Sequence, residues 1–237
     1  MISIPLFLTE EHPCSYLDSH SASSTFVHPS FNLSTAVYSQ LIAQGFRRSG
    51  DYVYAPHCSH CSECIAVRLP VAQFKPKRHQ KRCLAKNADT QTVIKPAHFE
   101  SAHYDLYMRY QKSRHSDGSM AHSSPEEYMD FLGSNWCDTL FVEFLTEGKL
   151  IAVAVVDRLI NALSAVYTFF DPDYSALSPG VYAVLWQIEW ARQLKLDWLY
   201  LGYWIRDCHK MNYKTDYQPL QMLVNQEWRE MRNTETE

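Results

Sequence analysis

The sequence predicts an α+β protein in which a small, cysteine-containing N-terminal domain precedes a larger domain of antiparallel strands and helices. Three consecutive strand-like segments, residues 139–144, 151–156 and 164–170, have short connections, so they pair most simply as an antiparallel meander. Cys58, Cys61 and Cys64 lie in a short loop between two earlier strand-like segments. A polar stretch ending at a proline separates the two regions, and we place the domains at residues 1–90 and 91–237.

Composition limits the functions that the chain can have. Its 237 residues are 46% hydrophobic and 14% aromatic, enough for a sizeable core. The formal net charge of −4 gives no global attraction to nucleic acid, so any such site must be a local patch. We expect a cytoplasmic protein with no membrane partner, because there is no basic region before the short N-terminal apolar stretch and no apolar run near ~18 residues. The odd number of cysteines, 7, favours reduced thiols.

The first part of the chain predicts one short helix and two strands. Residues 33–44 place apolar side chains on one helical face, Asn32 or Ser34 can cap its start, and Gly45 suits its end. Residues 52–54 and 65–71 are strand-like and flank the cysteine loop.

Helices are also predicted before and after the meander. Residues 98–114 carry an apolar stripe at helical spacing. A further helix begins after Ser124, where Pro125 suits the first position and Glu127 completes a capping box. After the meander, residues 181–196 form a helix and residues 198–204 a strand. This order of meander, helix and strand is that of an N-acetyltransferase-like (GNAT) core, so we expect a GNAT-like C-terminal domain.

The cysteine loop is a candidate metal site. Thiolates spaced as Cys58-x2-Cys61-x2-Cys64 suit a structural zinc ion or an iron–sulfur cluster. The fourth ligand is open between Cys14, Cys83, His57 and His60. The alternative is that these are ordinary buried thiols.

A basic segment follows the cysteine loop. No acidic residue occurs between Glu63 and Asp89. Its charged residues are Arg68, Lys75, Lys77, Arg78, His79, Lys81, Arg82 and Lys86. Such a run binds phosphates or, through arginine, a carboxylate. A solvated basic surface without a ligand is the alternative.

Three further segments are candidates for a site. Arg114 and His115 begin a glycine-containing loop that suits an anion. Tyr167 and Asp171 lie at the end of a central strand, next to the start of a long helix, where a cleft is expected. A segment after the last strand combines aromatic rings with cations, which suits nucleotides. Its candidate residues are Tyr203, Lys210 and Lys214. The alternatives are a plain interhelix loop, an Asp–Pro turn and a packed aromatic surface.

One absence disfavours a common enzyme of this fold. A coenzyme A-dependent N-acyltransferase needs a glycine-rich turn whose N–H groups hold the pyrophosphate. Residues 173–180 contain one glycine and a proline. Such an N-acyltransferase is therefore a less favoured alternative function. A zinc-stabilised RNA-binding module is a second alternative.

Taken together, these segments resemble the bacterial aspartate/glutamate leucyltransferases, relatives of the eukaryotic arginyl-tRNA–protein transferases. The resemblance covers roughly residues 10–228. The matching segments are residues 14–17, 45–50, 56–64, 67–71, 77–83, 114–115, 164–172, 185–189 and 200–205, with Lys210, Met211, Tyr213 and Lys214.

The resemblance implies transfer of leucine from leucyl-tRNA to an N-terminal Asp or Glu, which marks the acceptor protein for degradation through the N-degron pathway. Neither a membrane nor DNA is an implied partner. It also implies a metal at Cys14, Cys58, Cys61 and Cys64, although Leu17 stands where the eukaryotic pattern has another thiol.

The chemistry of this reaction needs no cofactor. The donor ester is already activated, and the acceptor α-amine has a pKa near ~8, so positioning and a modest base are sufficient. We assign the base to Asp171 or Tyr167. Residues expected to bind the acidic side chain and phosphate are Arg78, His79, Arg82, Arg114 and, beside it, His115. Residues expected at the tRNA 3′ end are Tyr203, Lys210 and Lys214.

Overall fold

The computed structural model describes residues 3–114 and 118–231. His115 therefore lies outside the described residues. The strands are β1 (Leu6–Leu8), β2 (His12–Pro13), β3 (Ser21–Ala22), β4 (Ser24–Val27), β5 (Arg47–Ser49), β6 (Tyr52–Pro56), β7 (Ile65–Pro70), β8 (Gln91–Pro96), β9 (Thr139–Thr146), β10 (Lys149–Arg158), β11 (Ala162–Phe170), β12 (Trp198–Trp204), β13 (Gln221–Val224) and β14 (Glu227–Glu230). The α-helices are α1 (Thr35–Ala43), α2 (Arg78–Lys86), α3 (Ser101–Arg114), α4 (Pro125–Leu132) and α5 (Pro179–Gln193).

The central element is an eight-stranded sheet in the order β14-β13-β7-β12-β11-β10-β9-β8. Its pairs are antiparallel except β11 and β12, which run parallel and are connected through α5. The predicted meander is β9–β10–β11, and the helix and strand that follow it are α5 and β12. The α+β class and the GNAT-like arrangement of the C-terminal region are therefore confirmed.

Helices cover both faces of this sheet. On one face α5 packs over β10 and β11, in a core that includes Val142, Leu163 and Ile188. On the other, α3 and α4 enclose an aromatic core that includes Tyr107 and Phe169. Among the described residues, no helix is both long and apolar enough to cross a membrane.

A four-stranded antiparallel sheet, in the order β1-β4-β6-β5, forms the N-terminal region. One face packs on α1, where Val27, Val53, Leu41 and Ile42 are buried. The cysteine loop connects β6 of this small sheet to β7 of the large sheet. Because β7 precedes residue 90, the large sheet includes part of the predicted N-terminal segment, and the division at residue 90 stays a prediction.

Capping residues in the sequence correctly predict where helices α1 and α4 begin. Ser34 caps α1 by accepting a hydrogen bond from the N–H of Val37, and Ser124 and Glu127 form the predicted capping box of α4. α3 begins at Ser101, three residues later than predicted. Helix α2 is not predicted by the sequence pattern, because its buried side chains are Gln80 and Cys83 and it has no apolar stripe.

Candidate functional site

A cleft opens in the large sheet where β11 and β12 separate. The two strands pair at Ala162–Ser164 and Trp198–Tyr200, and no later pair between them occurs in the part of the chain that the structure describes. β12 is irregular at this point, since its register against β7 shifts between Tyr200 and Gly202. The two strands therefore diverge toward their C-terminal ends, and we call the gap between them the cleft.

The side chain of Arg47, from β5 of the small sheet, enters this cleft. Its Nη2 donates a hydrogen bond of 3.3 Å to the carbonyl oxygen of Ala165, the first residue of β11 beyond the paired segment. Its Nη1 is buried without a partner. The guanidinium lies against Gly202, where a Cβ atom would be 2.8 Å from Cζ, so only a glycine leaves it room. No carboxylate of the described residues forms an ion pair with Arg47.

A second cation, Lys214, lies beside the same part of β12. Its Nζ donates to the carbonyl oxygen of Tyr203 and contacts Sδ of Met211 at 3.2 Å. The side chain is buried, and it has no carboxylate partner among residues 3–114 and 118–231. Burial, and then the charge of Arg47, lower the pKa of Lys214 to about 7. A substantial fraction of this amine is therefore neutral near pH 7.

Tyrosines surround the two cations. The hydroxyl of Tyr203 donates to the carbonyl oxygen of Gly45 at 2.8 Å, and the rings of Tyr54 and Tyr203 are 6.4 Å apart. Burial raises the pKa of both phenols. These hydroxyl groups therefore stay protonated at neutral pH and act as hydrogen-bond donors.

The predicted base residues lie farther along β11. The hydroxyl of Tyr167 accepts a hydrogen bond of 2.9 Å from Gln111, and burial raises its pKa. Asp171 is buried, and its Oδ2 is 3.2 Å from Nη2 of Arg109 and 3.6 Å from Nζ of Lys149. Their roles in proton transfer stay predictions.

Helix α2 carries Arg78, His79 and Arg82 on its exposed surface, while Gln80 and Cys83 point inward. The amide of Gln80 donates to the carbonyl oxygen of Asp216 at 3.2 Å. This contact joins the basic helix to the turn Asn212–Asp216, which carries Lys214. The structure therefore places the basic segment at the rim of the region that contains the two cations.

The remaining predicted substrate residues are dispersed. Arg114 ends α3, with its guanidinium 5.6 Å from the centre of the Phe170 ring, and Lys210 is exposed. The structure thus brings Tyr203 and Lys214 together in the cleft and leaves Arg114 and Lys210 at the surface.

The four candidate metal ligands lie in the same region, beside the small sheet, close enough for the other three thiols to affect the pKa of Cys64. Burial raises the pKa of the Cys64 thiol to about 12, and the proximity of Cys58, Cys14 and Cys61 raises it further in that order. All four are free thiols of intermediate burial. Four thiolates are by their chemistry a suitable donor set for zinc or an iron–sulfur cluster. Among the described residues, however, the ligand atoms that lie within 4.8 Å of one another belong to Glu100, His103 and Glu143 and not to these cysteines. Metal binding stays a prediction.

Arg47 lies in one of the segments that carry the family resemblance, residues 45–50, but its position in the sequence predicts no role for it. The available signal is the pair Arg47-Arg48, because adjacent residues of a strand point to opposite faces. The sequence pattern also does not predict an ion-pair network of Lys95, Glu100, His103 and Glu143. There the ammonium of Lys95 is 2.8 Å from Glu143 and 2.9 Å from Glu100, so both carboxylates already have a cationic partner within the fold.

A GNAT-like sheet with a cationic cleft between two diverging parallel strands defines a transferase suited to an anionic substrate. Comparison with known proteins gives the family. The family model "Arginine-tRNA-protein transferase, C terminus" matches residues 102–224, and the corresponding N-terminus model matches residues 12–82. The chain belongs to this family of transferase enzymes.

Curated relatives match over nearly the whole chain. The aspartate/glutamate leucyltransferase of Teredinibacter turnerae is 51% identical over 96% of this chain and 94% of its own length. The protein of the same name from Pseudomonas aeruginosa is 48% identical over 95% and 96%. Among solved structures, FemX covers 73% of this chain and 61% of its own, with a TM-score of 0.47 and 9% identity.

Proposed function

We propose that the protein transfers leucine from leucyl-tRNA to the N-terminal Asp or Glu of acceptor proteins and so marks them for degradation. The names of the curated relatives support this donor and these acceptors. Because charged tRNA is found where translation occurs, we place the reaction in the cytoplasm.

The observation that carries the proposal is the pair of cations in the cleft. Arg47 and Lys214 lie along the same two residues of β12, Gly202 and Tyr203, without a carboxylate partner in the described chain. A guanidinium binds a carboxylate through parallel hydrogen bonds, and buried cations are normally paired. An N-terminal Asp or Glu supplies the missing carboxylate, and we assign its recognition to Arg47.

Lys214 is suited to the proton transfer. The acceptor α-ammonium must lose one proton before its nitrogen attacks the ester carbonyl carbon. As the new amide C–N bond forms and the ester C–O bond breaks, the nitrogen loses a second proton and the 3′ oxygen of the tRNA takes one up as it leaves. An amine with a pKa of about 7 accepts the first proton at neutral pH and remains able to return one to the leaving oxygen. Asp171 and Tyr167 remain the alternative bases.

The basic helix α2 is suited to the donor tRNA. Its exposed cations Arg78 and Arg82, with His79 beside them, face solvent near the turn that carries Lys214. Lys and Arg side chains supply most of the affinity for a phosphate backbone. We therefore assign these residues to the acceptor arm of the tRNA and expect binding to weaken as salt rises.

The thiols Cys14, Cys58, Cys61 and Cys64 are assigned a structural role. A zinc ion or cluster held by them would fix the loop that connects the two sheets. The transfer reaction itself needs no redox chemistry.

The test is a transfer assay with radiolabelled leucyl-tRNA and peptides that begin with Asp, Glu, Lys or Ala, with arginyl-tRNA in parallel. We expect label to move from leucyl-tRNA onto the Asp and Glu peptides only. Transfer from arginyl-tRNA instead would contradict the donor. Transfer to Lys and Ala peptides at equal rates would contradict the role of the cationic cleft.

A further inference from the structure

The small sheet presents a row of aromatic rings on the face opposite α1. The strand register places Phe7 of β1 beside Phe26 of β4, and Phe26 beside Tyr54 of β6. The ring centres are 5.7 Å and 5.5 Å apart. Tyr52, two residues from Tyr54 on the same face, adds an edge contact to Phe26 at 6.5 Å. We call these four residues the aromatic face.

The aromatic face does not contribute to the hydrophobic core of the N-terminal region. The core of the N-terminal region lies on the other face, where Val27 and Val53 pack with α1. Tyr52 is 61% exposed and Phe7 is 39% exposed. Phe26 and Tyr54, between these two residues in the row, are partly buried. Exposed aromatic side chains at the two ends of such a row are a feature of binding surfaces.

The row leads into the cationic cleft. Tyr54 is the cross-strand partner of Arg47, and its ring is also next to that of Tyr203. Because neighbouring strands are about 4.8 Å apart, the path from Phe7 across three strand spacings to Arg47 is about 14 Å long. Nucleotides stacked at about 3.4 Å each would place three or four along it.

We propose that the aromatic face stacks against the bases of the unpaired 3′ end of the donor tRNA and so delivers its terminal ester to the cleft. This inference rests on the proposed function. Aromatic side chains bind single-stranded nucleic acid because every base has a face that can stack. The position of the aromatic face favours the tRNA 3′ end as its ligand, because the reacting ester at the 3′ terminus must reach Arg47 and Lys214.

The test uses Phe7→Ala and Tyr52→Ala, with Leu8→Ala as the matched control. Both ring residues are exposed, so their removal leaves the core intact. Leu8 lies next to Phe7 on the opposite face of β1 and is 57% exposed. We expect the KM for leucyl-tRNA to rise about fivefold to a hundredfold in each ring variant, because stacking contributes about 1–3 kcal/mol per base. The KM for an Asp peptide should not change, and Phe7→Trp should restore binding.

Direct binding separates this inference from the proposed function. Deacylated tRNA and the same tRNA trimmed of its unpaired 3′ nucleotides are each titrated against wild type and the Phe7→Ala/Tyr52→Ala double variant. We expect trimming to weaken binding to wild type and to have little effect on the double variant. Equal losses from trimming in both proteins, or ring variants that match Leu8→Ala, would overturn the inference. If trimming weakens binding only when the rings are present, but the protein transfers no leucine, the inference about the aromatic face is supported and the proposed function is contradicted.

A second copy of the chain is the competing occupant. Sedimentation of wild type and Phe7→Ala measures this directly. A dimer that dissociates in Phe7→Ala, with an unchanged KM for leucyl-tRNA, would overturn the assignment to tRNA.

Discussion

The two faces of β5 hold adjacent arginines in opposite environments. Arg48 points toward the large sheet, where Nε and Nη2 donate to the two carboxylate oxygens of Asp157, each at 2.7 Å. Its remaining donors reach Thr139 Oγ1 and three backbone carbonyl oxygens. Arg47 points into the cleft with one carbonyl acceptor and an unpartnered Nη1. Both arginines come from the same strand, yet one is fully satisfied by the fold and the other is left for a ligand.

The difference separates stability from function. Arg48 is 4% exposed and Asp157 is 0% exposed, so this pair ties the small sheet to β10 in an environment where an unpaired charge is costly. Arg47 contributes one weak internal hydrogen bond and keeps most of its donors for an anion. Substitutions at the two positions should therefore affect different measurements.

The largest effect is expected from Arg48→Met. This change leaves the carboxylate of Asp157 buried without its partner, which costs about 3–5 kcal/mol of the free energy of unfolding. Denaturant titration measures the loss. The double variant Arg48→Met/Asp157→Leu removes the orphaned charge and should recover part of it. A single variant within about 1 kcal/mol of wild type would show that the pair does not hold the two sheets together.

Next is Lys214→Ala, which removes the proposed base from the cleft. We expect the transfer rate at neutral pH to fall about 10²- to 10⁴-fold. In wild type the rate should rise with pH through about 7, because the lowered pKa makes the amine neutral above that value. In the variant the remaining rise should follow the acceptor amine near ~8.

The exposed Lys112→Ala is the control for loss of one positive charge. An unchanged pH profile in Lys214→Ala would move the base role back to Asp171 or Tyr167. The same titration has a stability counterpart, since the unfolded chain binds the Lys214 proton up to its ordinary pKa. Wild type should therefore gain stability as pH rises from about 7 toward 10, and the variant should gain less.

Arg47→Ala tests the other face of β5. We expect kcat/KM for an Asp peptide to fall thirtyfold or more, since loss of a partner to a bound charge costs about 2–5 kcal/mol. The preference for Asp over Ala peptides should disappear, while the free energy of unfolding stays close to that of wild type. Loss of the fold in Arg47→Ala would contradict the division between the two arginines.

The sequence predicts those parts of the fold and site that depend on residues close together in the chain, and it fails where distant residues must meet. The capping box at Ser124 and Glu127 and the meander β9–β11 are local, so pattern alone located them. Helix α2 was missed because its outward face is mostly cationic and its inward side chains, Gln80 and Cys83, form no apolar stripe. Arg47 was missed for a different reason. Its role depends on the divergence of β11 from β12 and on the absence of a side chain at Gly202. Both strands lie more than a hundred residues from Arg47 in the sequence.

The smallest effect is expected from Gly202→Ala. This change alters the position of Arg47 without changing either arginine of β5. A Cβ at Gly202 would overlap the guanidinium of Arg47, and the φ of 85° already disfavours any side chain. Gly148→Ala is the matched control, since its φ is 74° but nothing lies within 4 Å of the added Cβ. Both variants should lose about 1–2 kcal/mol of stability from the left-handed backbone. Only Gly202→Ala should also lose about tenfold in kcat/KM for Asp peptides, because the displaced Arg47 binds the carboxylate about 1.4 kcal/mol less well. Equal activity in the two variants would show that the position of Arg47 against β12 does not matter for substrate selection.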